Sequence, residues 1–116
     1  MKDSHKAPGL DQLRKAVIQQ KNVYLPAEEK DTAYQSLHKI VVDYDQYVSQ
    51  MVIGILSGNE EASSYPHRTL VMTAMEEVET IADQNQQRKV EQYRKYIQRL
   101  DHMHDLALQV SAGDHS

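Results

Sequence analysis

Between residues 33 and 55 the chain carries a run of apolar and tyrosine side chains at three- and four-residue intervals. They are Ala33, Tyr34, Leu37, Ile40, Val41, Tyr44, Val48, Met51, Val52 and Ile55. At about 100° per residue all of them fall on one helix face, within about a third of a turn. A half-buried strand needs strict alternation instead, and the segment has none. A helix with so continuous an apolar face is stable only when other elements cover it, which makes the chain an all-α domain.

The rest of the sequence supplies the partners. The first helix is expected from about Leu10 to Asn22, with Leu10, Leu13, Ala16 and Val17 at helical spacing. The second is expected from Pro26 to Ser57. Proline suits the first helical position, Glu28, Glu29 and Asp31 face the positive end of the dipole, and Gly58 with Asn59 turns the chain out. The third starts at Pro66, after SGNEEASS, with Leu70, Val71, Ala74, Met75, Val78, Ile81 and Ala82 as its stripe.

A further stripe, Val90, Tyr93, Ile97, Leu100, His104 and Ala107, ends near Val110. It is rotated by roughly 90° from the third if the helix is continued without a break. The polar stretch DQNQQRK lies between the two, and Asp83 with Gln86 has capping-box spacing, so a break at Asp83 to Gln86 is favoured. Without a break, residues 66–110 form one rod. The expected fold is an antiparallel bundle of about four helices, and the alternative is a long helical hairpin completed by dimerisation.

At 116 residues this is one domain, read as 9–110 with flexible ends at 1–8 and 111–116. There is no Phe or Trp and there are seven tyrosines, which implies an aliphatic core with tyrosines at its margins. Cysteine is absent, so disulfides, thiol nucleophiles and thiolate metal sites are excluded together. The polar start MKDSHKAPGLDQ does not resemble a secretion signal, and the apolar run Met51 to Leu56 is far shorter than the ~20 residues that cross a bilayer. The expectation is a cytoplasmic protein with no membrane partner.

Six histidines invite a metal reading. His102 and His104 point to sides of a helix differing by roughly 160° and cannot grip one ion together. Asp101 and His104 can converge in the manner of a carboxylate-x-x-His element, but such sites require a second copy, which the chain lacks. His104 is therefore expected at the core edge, holding a hydrogen bond. His102 and His38 are expected at the surface, and His67 has no expected partner. There is no G-x-S-x-G, H-E-x-x-H, Walker loop or G-x-G-x-x-G. No catalytic residue, metal ligand or cofactor follows from the sequence, and a non-catalytic role is expected.

Two surfaces stand out. The segment MVIGIL is apolar all round, so Met51, Ile53, Gly54 and Leu56 are the candidate contact surface for a partner or a second copy; the competing reading buries the segment inside one bundle. Gly54 and Gly58, four apart, would admit close helix approach, and Val42 and Met72 lie apolar and off the main faces. In the last helix Arg88, Lys95 and Arg99 align opposite the apolar stripe. Such cations suit phosphates, or carboxylates such as Asp43 and Asp45. With Asp and Glu exceeding Lys and Arg, 17 against 13, nucleic-acid contact is the lesser expectation. The sequence points to a small interaction module of regulator, inhibitor or chaperone/adaptor type acting through helix surfaces and forming a homodimer, with a nucleic-acid-associated regulator as the alternative.

Overall fold

The computed structural model describes residues 7–21, 25, 32–58 and 63–113. Its helices are α1 (Ala7–Lys21), α2 (Thr32–Leu56), α3 (Arg68–Ile81) and α4 (Gln87–Gly113). A single 3-10 turn, Gln84–Gln86, leads into α4. All regular structure among the described residues is helical. The expected second-helix start, with Pro26, Glu28, Glu29 and Asp31, lies outside them.

The direction of each helix follows from which side chains meet. His38 approaches Tyr93 and Tyr44 reaches Asp101, so α2 and α4 run the same way. Arg94 pairs with Glu79 and Arg68 with Asp101, so α3 runs opposite to both. Gln19 meets Arg99 while Gln12 shares a cleft with Leu106, so α1 is also antiparallel to α4. The result is an up-down-up-down bundle with extents of 54 × 25 × 18 Å.

The turn at Asp83 is what makes four elements from three apolar segments. Ala82 leaves the helix in an extended conformation while its N–H still reaches the Val78 carbonyl. Asp83 Oδ1 then accepts the Gln86 N–H at 3.1 Å and Gln86 Oε1 accepts the Asp83 N–H at 3.2 Å, a complete capping box. Two orphan donors are thereby satisfied at one end, and the stripe of α4 is free to take its own rotation. At the end of α2 Gly58 adopts φ +77°, the left-handed position that closes a helix, and donates to the Ile55 carbonyl. Nothing lies within 4 Å of where its Cβ would be, so its role is the turn and not close helix approach.

The α2 stripe is buried as spaced, with only Ala33 and Ile40 partly exposed. Val71, Met75 and Val78 of α3 cover one side of it, and Val90, Tyr93, Ile97, Leu100 and Ala107 of α4 cover the other. Leu70 and Ile81, expected in the α3 stripe, are about half exposed. The reason is that α3 packs mainly on α2 and only slightly on α4, so only the centre line of its stripe is covered. At the ends, α1 already includes Ala7 and Pro8, and α4 continues through Gly113 with Ser111 buried. The rest of the expected flexible ends, residues 1–6 and 114–116, lies outside the described residues.

Tyrosine placement departs from the sequence expectation. Tyr34, Tyr44 and Tyr93 are fully buried at the bundle centre rather than at its margins. A buried hydroxyl is tolerated there when it is hydrogen-bonded. Tyr44 donates to Asp101 at 2.6 Å, and Asp101 also accepts from Arg68, so one carboxylate ties α2, α3 and α4 together. Tyr65, in the α2–α3 connection, donates to Asp43 at 2.7 Å, and Tyr96 of α4 donates to Asp45 of α2. With no Phe available, Tyr supplies the large rings, and carboxylates on neighbouring elements take up the hydroxyls of Tyr44, Tyr65 and Tyr96, while that of Tyr93 meets His38.

Candidate interaction surface

The apolar end of α2 divides sharply. Met51 and Gly54 turn inward and are buried, Leu56 is half-buried, and Ile53 is 64% exposed. A helix apolar all round must send one side chain in each turn away from its core unless a second layer covers it. At Ile53 nothing described covers it, because α1 packs principally on α4. A groove of about 530 Å³ opens between α1, α2 and α4, with Ile53 on its lining. Val17, Leu25, Val52, Leu56 and Met103 supply its apolar walls.

The groove also has a polar wall: Gln20, Asp45, Ser49 and Tyr96. Ser49 donates to Asp45 Oδ1 at 2.8 Å and Tyr96 to Asp45 Oδ2. Burial, then the bond to Asp45, pushes the Tyr96 hydroxyl up to about 12, while the Gln20 amide facing it opposes the rise. Gln20 is 8% exposed, and neither of its amide atoms has a hydrogen-bond partner of good geometry. Of these four only Asp45 was named from the sequence, and there as a carboxylate that a basic stripe could meet, not as part of a groove. Gln20 left a trace there, standing four residues after Ala16 on the line of Leu13 and Ala16, where an apolar residue was due. Asp45 was legible only as part of an acidic face with Asp43, because nothing local places the Tyr96 hydroxyl opposite it.

The other candidate residues disperse. Arg88 and Lys95 are exposed, while Arg99 donates to Gln19 of α1 at 3.3 Å. Arg94, between them in sequence, joins α3 to α4 through Glu79 and also pairs with Glu91. Asp43 and Asp45 are bonded to tyrosine hydroxyls and form no ion pair with the basic stripe. Of the apolar pair off the main faces, Met72 is 52% exposed and Val42 is partly covered.

Asp101 and His104, three apart, are engaged separately. Asp101 is held by Tyr44 and Arg68, while His104 is buried and its Nε2 accepts the Tyr65 N–H at 3.1 Å. That bond fixes the α2–α3 connection onto α4. Among the described residues no group of three or more His, Asp or Glu side chains is placed to hold a metal ion. His102 is exposed, His67 is exposed with its ring edge against Tyr65, and His38 is partly buried, reaching the Tyr93 hydroxyl at 3.3 Å. His38 is thus more engaged than its position off the α2 stripe implied, because Tyr93 rises from α4 to meet it. No helix described is long and apolar enough to cross a membrane. No family model, no curated protein and no solved structure matches the chain.

Proposed function

We propose that this protein is a small, non-catalytic interaction module of regulator, inhibitor or adaptor type that works through helix surfaces, with a second copy of itself as its partner. The observation that carries the reading is Ile53, a large aliphatic side chain 64% exposed on a groove walled by Val17, Leu25, Val52, Leu56 and Met103. A projecting side chain beside an apolar groove is self-complementary: in a two-fold dimer each Ile53 enters the other copy's groove. A cytoplasmic setting belongs to the same reading, supported by the absence of cysteine.

The nucleic-acid alternative gains nothing from the geometry. Arg88 and Lys95 are exposed, as cations are on most helix surfaces, and Arg99 is drawn to Gln19.

Sedimentation equilibrium tests the proposal. The wild-type protein is expected to show a concentration-dependent mass rising to the dimer, and Ile53→Asp to shift it to monomer. Because Ile53 is mostly exposed, that substitution is expected to alter folding stability by no more than about 0.5 kcal/mol. A wild-type monomer at every concentration, or a dimer indifferent to Ile53→Asp, would overturn the assignment.

A further inference from the structure

The polar wall of the groove is dominated by one anionic acceptor. Asp45 is the one charged residue on the described lining, and no cation faces it there. Its two oxygens each accept one hydroxyl, from Ser49 and Tyr96, so a lone pair remains on each. The Gln20 amide lies beside the Tyr96 hydroxyl, and it is buried with neither Nε2 nor Oε1 hydrogen-bonded, so Oε1 is an unused acceptor on the same wall. A buried acceptor left unmatched is unfavourable, and a donor arriving with a ligand offsets that penalty.

We propose that the groove binds a small organic cation, an aryl- or alkylammonium whose apolar body lies against Val17, Val52 and Met103 and whose N–H donors meet Asp45 and Gln20 Oε1. The groove's volume of about 530 Å³ falls within the ~300–1,000 Å³ that small-molecule sites span, and its composition, apolar walls with a few convergent polar groups, is theirs as well. A carboxylate already oriented by two hydroxyls needs no rearrangement to receive an ammonium, and the bond formed is charge-assisted. A carboxylate ligand would meet Asp45 with like charge and leave the Gln20 acceptor unmatched. The inference concerns the polar wall rather than Ile53; its ligand shares the apolar walls with the Ile53 of a second copy, so the two compete and the ligand is taken by the monomer.

Three probes of one shape separate the terms: naphthylmethylammonium, naphthylmethanol and naphthoate, each titrated into the isotopically labelled protein while backbone amide shifts are followed. The cation is expected to perturb the amides of Gln20, Asp45, Val52 and Tyr96 and to bind about tenfold more tightly than the alcohol, with naphthoate weakest. Asp45→Asn is expected to abolish that preference for the cation over the alcohol. Gln20→Met, which keeps the packing and removes the acceptor, is expected to reduce it in part; it carries the test if the Asp45 variant does not fold. Equal binding of cation and alcohol, tightest binding of naphthoate, perturbation confined to other residues, or no binding of any probe would each overturn the proposal.

Discussion

The residue that defines this core is tyrosine, and its placement sets how the protein responds to alkali. Burial raises the hydroxyl of Tyr93 to about 12, and burial with a carboxylate partner does the same for Tyr65 and Tyr96. Tyr44 is raised further by burial and by Asp101. A tyrosine in the unfolded chain ionises near ~10, so the unfolded state loses these protons first. The stability linked to them is fully present below about pH 10 and is lost as pH rises toward about 12. A titration followed by phenolate absorbance is expected to show Tyr44, Tyr65, Tyr93 and Tyr96 ionising late and together with loss of helical circular dichroism. If all the tyrosines ionised near pH 10 with the helices intact, the buried tyrosine–carboxylate pairs would be wrong. The number of tyrosines was plain in the sequence, but their depth was not. Depth depends on Asp43, Asp45 and Asp101 standing opposite them on other elements, which no local pattern encodes.

At the scale of elements, the sequence was most legible where one face faces one core. The stripe of α2 and the stripe of α4 are buried nearly as spaced, because each helix packs against more than one neighbour. The stripe of α3 was overread at Leu70 and Ile81, since periodicity tells which side is apolar and not how wide the covering surface is. The turn at Asp83 was legible through two weak signals that agree, a rotated stripe and a box-spaced acid and amide. Its cap is local enough to test by itself. Asp83→Ala is expected to destabilise the protein by about 1 kcal/mol in chemical denaturation, and Asp83→Asn, which still accepts from the Gln86 N–H, by less. No loss in the alanine variant would mean that packing of α3 on α4 holds the turn without the cap. The groove was the least legible feature. It exists because α1 settles on α4 and stands off α2, a tertiary choice that leaves Gln20 facing Asp45 across a gap.

For the whole molecule, everything proposed about surfaces depends on the chain folding back at Asp83 into a four-helix bundle of its own. In a continuous helix from Pro66 onward, α3 would leave the side of α2, Arg68 would lose Asp101, and His104 would no longer anchor Tyr65. The hairpin alternative would complete its core only with a second chain, and Ile53 would then be one of many interface residues instead of an isolated exposed one. Because the chain has no cysteine, spin labels can be placed without background. Thr73 and Gln98 are exposed positions that stand at the same level along the bundle when α3 and α4 are antiparallel, as the flanking pairs Glu79–Arg94 and Arg68–Asp101 set it. The most direct measurement is the distance between labels at Thr73→Cys and Gln98→Cys by pulsed electron resonance, with the labelled protein diluted into unlabelled protein. Antiparallel packing predicts about 20 Å or less, two label arms added to a helix spacing of 8–10 Å, whereas an unbroken helix would place the labels about 38 Å apart and contradict the four-helix bundle.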